Sequence, residues 1–138
     1  MKVLLDTNIV LDKLAAREPF KDDVNRIFTL IGRNELTVYV TATGITDVYY
    51  ILRKKLTDND CRKALRHLFE ALCVLAVTRY DCEAAFDSPL EDFEDALILA
   101  CAEKANVDFI ITRDEIFLKA TKAISPSDFL IMWEELRL

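Results

Sequence analysis

Residues 3–8 of the chain, Val-Leu-Leu-Asp-Thr-Asn, place a carboxylate directly after a short apolar run. The same order returns in residues 109–114, Phe-Ile-Ile-Thr-Arg-Asp. A continuous apolar run is typical of a parallel strand that is buried on both faces. The ligand-binding groups of an open α/β sheet lie at the carboxyl ends of its strands. The two segments therefore predict that Asp6 and Asp114 share one edge of a parallel sheet.

Short apolar runs alternate with segments of helical periodicity along the rest of the chain. We predict strands at residues 2–5, 36–42, 73–77 and 108–112. Helices are predicted near residues 9–14, 22–31, 43–52, 58–72 and 80–86, and two more are predicted to start at Ser88-Pro89 and Ser125-Pro126, because Ser caps helices and Pro suits the first helical position. This alternation predicts an α/β fold, a three-layer α/β/α sandwich with a central, mostly parallel sheet.

The composition favours a single globular domain over residues 1–138. Hydrophobic residues make up 52% of the chain and charged residues 30%, which suits a chain that buries a core. The net charge of -6 argues against nucleic-acid binding unless several acids are gathered at a metal. Four cysteines without a C-x-x-C pair predict reduced thiols and a cytoplasmic protein. We expect neither a signal peptide nor a membrane span.

Three further acids are predicted to lie near the same edge of the sheet. Asp47 falls early in the helix that follows the second strand, and such helices start at the carboxyl edge. Asp95 falls about two turns into the helix predicted to start at Ser88, and Asp92 lies one turn earlier on the same side. Asp47 and Asp95 both border apolar segments, which is not expected of acids on a solvated face.

Carboxylates gathered in this way need compensation. Two like charges about 4 Å apart cost about 4 kcal/mol at an effective dielectric constant of about 20. Oxygen ligands without His or Cys favour Mg²⁺ or Mn²⁺, and such an ion beside phosphate oxygens suits a phosphodiesterase. Each acid also has a structural interpretation. Asp6 can be a turn residue or a helix N-cap, and Asp92 can be a first-turn acid that complements the helix dipole.

Other enzyme and signalling classes fit the sequence less well. His67 is the only histidine and lies inside a predicted helix, so a Ser-His or Cys-His hydrolase has no base. A phosphorylation-dependent receiver domain needs an Asp at the end of its third strand, where residues 76–79 are Ala-Val-Thr-Arg. A haloacid-type phosphatase needs a second Asp two residues after the first, where this chain has Asn8.

Four segments, by their order and spacing together, resemble a PIN domain, the nuclease module of VapC-type toxins. They are residues 4–8 (LLDTN), 41–52 (TATGITDVYYIL), 92–100 (DFEDALILA) and 109–114 (FIITRD). The resemblance covers essentially the whole chain. It implies a metal-dependent endoribonuclease that uses Mg²⁺ or Mn²⁺ to cleave single-stranded RNA as the toxin of a toxin–antitoxin pair. The partners expected are RNA, an antitoxin protein and a second copy of the chain in a homodimer.

The same resemblance implies four acids and two threonines of the site, and their positions in the sequence add Asp92 and Arg113. The implied catalytic and metal-binding acids are Asp6, Asp47, Asp95 and Asp114. Additional candidates for the site are Asp92, Thr7 and Thr112. Arg113, next to Asp114, is expected to contact a substrate phosphate.

The second acid departs from the family pattern. Many VapC-type toxins carry Glu where this chain has Asp47, whose side chain is one methylene shorter. Whether one metal or two bind therefore stays open. A second hypothesis also stays open, in which the chain is a catalytically inactive PIN-fold module that binds RNA or a protein partner.

Overall fold

The computed structural model describes residues 1–138 as five strands and seven α-helices. The strands are β1 (Lys2–Leu5), β2 (Thr37–Thr41), β3 (Cys73–Leu75), β4 (Phe109–Ile111) and β5 (Ala123–Ile124). The helices are α1 (Thr7–Leu14), α2 (Lys21–Gly32), α3 (Ala42–Leu52), α4 (Asp58–Phe69), α5 (Arg79–Phe86), α6 (Phe93–Lys104) and α7 (Pro126–Leu136). None of these helices combines the length and the apolar character that a membrane span requires.

All five strands form one parallel sheet in the order β3-β2-β1-β4-β5. The central strand β1 pairs with β2 on one side and with β4 on the other. The chain moves outward from β1 to β3 and then returns to the opposite side for β4, so the strand order reverses between β1 and β4. The ligand crevice of an open α/β sheet lies at such a reversal, beyond the carboxyl ends of the strands. The predicted α/β/α sandwich is confirmed, with a sheet that is wholly parallel.

Alternate side chains of β1 supply two separate hydrophobic layers. Val3 and Leu5 pack into a core shared with α1, α2, α3, α4 and α7. Leu4 points to the opposite face and packs with Ile98 of α6 and with Phe117. Each of these buried side chains contributes about 1.5–3 kcal/mol. Their burial keeps β1 in the middle of the sheet and makes Asp6 the first residue beyond it.

The helix predicted to start at Ser88 begins one turn later, at Phe93. The Ser88 hydroxyl accepts a hydrogen bond from the Leu90 N–H at 3.3 Å and makes a local turn. Asp92 provides the N-cap instead, because its Oδ1 accepts a hydrogen bond from the Asp95 N–H at 3.0 Å. An Asp in this position typically contributes about 1 kcal/mol. In the structure, Asp95 therefore lies in the first turn of α6, not two turns into the helix, and Asp92 lies at the helix start instead of on its face.

Candidate active site

An acid-lined cleft of about 640 Å³ opens at the carboxyl edge of the sheet. Its carboxylates are Asp6, Asp47, Asp92, Glu94, Asp95 and Asp114. All five acids predicted from the sequence lie here, and Glu94 is an addition. The cations that line the cleft are Arg17, Lys54 and Arg113, so the acids outnumber the cations by three. The cleft also includes Thr7, Asn8 and Tyr50.

Asp6 is held in one orientation by the ends of two neighbouring strands. Its side chain is nearly buried, with 6% of the residue exposed. Asp6 Oδ1 accepts a hydrogen bond from the Thr7 N–H at 2.8 Å and so caps α1. Asp6 Oδ2 accepts hydrogen bonds from Thr112 Oγ1 at 2.8 Å and from Asn8 Nδ2 at 3.3 Å. Burial raises the pKa of Asp6 above its usual value, although the hydrogen bond from Thr112 opposes the shift.

Asp95 is the second nearly buried acid of the cleft, with 7% of the residue exposed. Burial, followed by the negative charges of Asp6, Asp92 and Asp114, raises the pKa of Asp95 to about 7. A carboxyl group with such a pKa can accept or release a proton near neutral pH. A bound cation would favour the ionised form and lower this pKa.

Asp47 reaches the cleft because α1 and α3 start close together. A Cβ atom on Gly44 would lie 3.1 Å from Thr41 Oγ1 and 3.4 Å from Thr7 Oγ1. Thr41 caps α3, since its hydroxyl accepts a hydrogen bond from the Gly44 N–H at 3.1 Å. A side chain at position 44 would therefore crowd the capping hydroxyl of Thr41, which shows how closely the starts of α1 and α3 approach.

Glu94 and Asp47 line the same cleft, and the carboxyl group of Asp47 is close enough to affect the ionisation of Glu94. Glu94 is exposed on the wall of the cleft, yet partial loss of its water raises the pKa of Glu94, and the hydrogen bond and charge of Asp47 raise it further, to about 7. Two carboxyl groups this close favour a state in which one of them carries a proton. In the sequence, the signal that could have indicated Glu94 is its position directly before Asp95.

Thr112 connects the two strand ends that the sequence analysis singled out. Its hydroxyl is fully buried, donates to Asp6 and accepts a hydrogen bond from the Asp114 N–H at 3.1 Å. Asp114 Oδ1 accepts a hydrogen bond from the Ile116 N–H at 2.9 Å, which makes a local Asx turn. Asp114 is therefore positioned by its backbone beside Asp6, while its side chain stays exposed.

Arg113 lines the cleft, but its guanidinium group is bound to the buried carboxylate of Asp12. Arg113 Nε donates to Asp12 Oδ2 at 2.7 Å, and Nη2 donates to Oδ1 at 3.1 Å. Arg17 binds the same carboxylate, with Nε donating to Oδ1 at 2.8 Å. The contact between Arg113 and a substrate phosphate stays a prediction. Asp12 and Arg17 are additions that no strand-end pattern indicates.

The family model of the PIN domain matches residues 2–115, a span that includes all six acids of the cleft. The chain belongs to the PIN domain family. The family expected from the four sequence segments is thereby confirmed.

Several solved structures share the fold of this PIN domain. VapBC2 from Rickettsia felis, bound to a DNA fragment from its promoter, has a TM-score of 0.68 at 16% identity, over 91% of this chain and 97% of that chain. VapC20 from Mycobacterium tuberculosis, a sarcin-ricin loop cleaving toxin, has a TM-score of 0.69 at 17% identity, over 87% and 95%. A toxin–antitoxin complex from Klebsiella pneumoniae has a TM-score of 0.69 at 19% identity, over 90% and 97%. No curated protein shows a significant match to the chain.

The donors of this PIN domain suit a hard divalent cation. No three acidic, histidine or cysteine side chains stand close enough to ligate one ion as they are arranged. Mg²⁺ does not need such a cage, because it is commonly held by one or two carboxylates and keeps several waters. Two buried oxygen atoms at the cleft, Thr7 Oγ1 and Asn8 Oδ1, have no hydrogen-bond partner. The wall of the cleft therefore contains two unpaired acceptor atoms beside the acids.

Proposed function

We propose that this PIN domain is an endoribonuclease that uses Mg²⁺ or Mn²⁺ to cleave single-stranded RNA. PIN domains are a family of nucleases. The observation that carries the proposal is the meeting of Asp6, Asp95 and Asp114 in one cleft from three separate segments of the chain. Their mutual charges contribute to the raised pKa values of Asp6 and Asp95. A cation that binds there relieves this repulsion.

The residues proposed to hold the cation are Asp6, Asp47, Asp95 and Asp114, with Asp92 as a further carboxylate at the start of α6. The ion, when bound, would lower the pKa of a coordinated water and offset negative charge on the phosphate oxygens. The Thr112 hydroxyl and the Thr7 N–H fix the Asp6 carboxylate before any ligand arrives. Groups that are already oriented lose little free energy to reorganisation during the reaction.

Glu94 is the residue best suited to move a proton. Attack of water on phosphorus, in line with the leaving 3′-oxygen, requires that the water lose a proton and that the leaving oxygen gain one. Glu94 lies outside the proposed ligand set, and its pKa in the metal-free cleft is raised to about 7. It can therefore accept a proton from the attacking water, while the leaving oxygen, on the opposite side of the phosphorus, takes its proton from solvent.

RNA as the substrate is supported by the surface beside the acids and by the relatives. Tyr50 lines the cleft with 64% of the residue exposed, and exposed aromatic rings stack on the bases of single strands. VapC20 is a sarcin-ricin loop cleaving toxin. We propose that this chain too is the toxin of a toxin–antitoxin pair.

An antitoxin protein is the proposed partner, because two of the similar structures are toxin–antitoxin assemblies. A second copy of the chain is proposed as a further partner, with α3 and α4 as the dimer face, where Ile51 and Phe69 are exposed. The four cysteines form no disulfide, which suits a reducing cytoplasm.

A second candidate function is a PIN-fold module that binds RNA or a protein partner without cutting. The observation in its favour is Asp47, which is shorter than the Glu of many VapC-type toxins and lies within reach of Glu94. Calorimetry separates the two functions, because an enzyme of this kind binds Mg²⁺ or Mn²⁺ and an inactive module need not. If the protein cleaves RNA only when the divalent ion is added, it is an enzyme and not an inactive binding module.

The decisive experiment replaces Asp6 with Asn. Asp6→Asn should abolish metal-dependent cleavage of cellular RNA and the growth arrest that follows expression, while circular dichroism shows an intact fold. The matched control is Asp87→Asn, which changes an exposed acid at the end of α5 outside the cleft. Undiminished cleavage by Asp6→Asn would refute the proposed mechanism.

A further inference from the structure

We propose that Asp12 is a positioning residue that holds Arg17 and Arg113 as a pair of phosphate-binding groups on the wall of the cleft. The inference rests on the proposed function and deepens it, because it assigns the residues that receive the RNA backbone. The sequence suggested only Arg113 for this role. Arg17 and the shared carboxylate come from the tertiary structure.

The three side chains form one hydrogen-bonded unit. Asp12 belongs to α1, and its side chain is completely buried. It receives two hydrogen bonds from Arg113, at 2.7 and 3.1 Å, and one from Arg17, at 2.8 Å. The two bonds from Arg113 have the parallel arrangement that makes arginine–carboxylate pairs strong.

The unit has more positive charge than its carboxylate can neutralise. One arginine would balance Asp12, and the second leaves an excess of one charge. Each guanidinium group has five N–H donors. Arg113 uses two of them on Asp12, and Arg17 uses one on Asp12 and one on the Asn8 carbonyl oxygen at 3.3 Å. The arginine side chains are 30% and 37% exposed and line the cleft, so free donors are available to an anion.

The orientation of both arginines is fixed by further contacts. The Arg113 guanidinium carbon lies 3.9 Å from the centre of the Phe20 ring, in a cation–π contact. Arg17 is tied to the Asn8 carbonyl oxygen, and the Asn8 side chain donates to Asp6. Arg17 and the proposed metal-binding acid Asp6 are therefore both bonded to Asn8, in the first turn of α1. Groups held in this way lose little conformational entropy on binding.

RNA needs such groups at this site. The acids of the cleft outnumber its cations by three, so the cleft repels a polyanion wherever its charge is not offset. The planar fork of arginine matches the oxygens of a phosphate group better than the point charge of lysine does. The pair thus provides the place where a backbone phosphate next to the cut can bind.

The test measures binding of an end-labelled, randomised single-stranded RNA pool by fluorescence anisotropy over a range of KCl concentrations. All variants are made in the Asp6→Asn protein, with Mg²⁺ present, so that the RNA stays intact. Arg17→Gln and Arg113→Gln should each lower affinity about fivefold at about 0.1 M salt and reduce the salt slope by about 0.7. The matched control is Arg79→Gln, which removes an exposed, ion-paired arginine on α5 and should change neither quantity.

The Asp12→Asn variant tests the direction in which the affinity for RNA changes. Removal of an acid ordinarily strengthens the binding of a protein to a polyanion. If Asp12 positions the arginine pair, the folded Asp12→Asn variant binds RNA more weakly although both arginines remain. Should Asp12→Asn fail to fold, Arg17→Lys and Arg113→Lys test the orientation of the arginines instead. They keep the positive charge but lose the planar guanidinium group that Asp12 orients, so they too should bind RNA more weakly. In the protein that retains Asp6, these two should raise KM for RNA and leave kcat nearly unchanged.

Two outcomes separate the inference from the proposed function. RNA binding by the lysine and glutamine variants that equals binding by Arg79→Gln would overturn the inference and leave the nuclease assignment standing. So would tighter binding by a folded Asp12→Asn variant. Failure of the Asp6→Asn parent to bind the RNA pool, combined with failure of the unmodified protein to cut RNA, would overturn the proposed function and the inference with it.

Discussion

Replacement of Asp95 by Asn should make the protein more stable at neutral pH while it removes the proposed activity. The pKa of Asp95 is raised from 3.8 to about 7 by burial and by neighbouring acids. A carboxyl group with a higher pKa in the folded state binds its proton more tightly when the chain is folded. The stability of the protein should therefore fall as the pH rises from about 4 to about 7, because Asp95 must ionise in an unfavourable site.

The size of the effect follows from the two pKa values. A difference of about three pH units, at about 1.36 kcal/mol each, amounts to about 4 kcal/mol at alkaline pH. This is an upper limit, because ionisation of neighbouring acids contributes to the same repulsion. Asn has nearly the shape of Asp and no charge. Asp95→Asn should therefore gain up to about 4 kcal/mol at about pH 8 and little at about pH 4.

Urea unfolding followed by circular dichroism, at both pH values and with EDTA present, measures this gain. Addition of Mg²⁺ at alkaline pH should stabilise the unmodified protein more than Asp95→Asn, since a ligand stabilises the state that binds it. Asp87→Asn is the matched control and should show no pH-dependent gain. The reasoning would be refuted if Asp95→Asn had the same effect at both pH values, or if it destabilised the protein at alkaline pH.

Two further predictions concern residues around the same acids. Thr112→Val removes the hydroxyl that donates to Asp6 at 2.8 Å, which should cost about 1.5–3 kcal/mol of stability. It should also raise the pKa of Asp6 and move the acidic limb of the pH–rate profile for RNA cleavage upward; a profile identical to that of the unmodified protein would contradict this role. Asp92→Ala removes the N-cap of α6 and should cost about 1 kcal/mol in urea unfolding, whereas Asp92→Asn should retain the cap. Equal stability of these two variants would show that the cap does not hold α6.

The acids at the strand ends are predictable because their positions follow from local sequence. β1 and β4 are short apolar runs, and each must end where the first polar residue appears. In a parallel sheet both ends lie at the same edge, so Asp6 and Asp114 come together without any detailed knowledge of packing. The start of α7 is predictable for a similar reason, since Ser125 caps the helix directly before Pro126.

The start of α6 shows where local signals compete. Ser88-Pro89 has the same pattern as the start of α7, but Asp92 lies four residues further on and caps the helix instead. Both segments satisfy the rules for a helix start, and in the folded chain α6, which packs against α5, begins at the second of them. β5 has two residues, too few to produce a strand pattern.

The amino-acid sequence by itself determined the fold class, because apolar periodicity acts over short segments. The order and spacing of four segments gave the PIN family resemblance and indicated Asp6, Asp47, Asp95 and Asp114 as candidate site acids. Tertiary structure alone decided that Glu94 lies within reach of Asp47, and that Asp12 binds Arg17 and Arg113. The contact of Asp12 with Arg113 joins α1 to the loop after β4, and the approach of Glu94 to Asp47 joins α6 to α3; both pairs are far apart in the chain. The physical reason is that the pairing of charges depends on distances in space, and those distances are set only when the helices pack on the completed sheet.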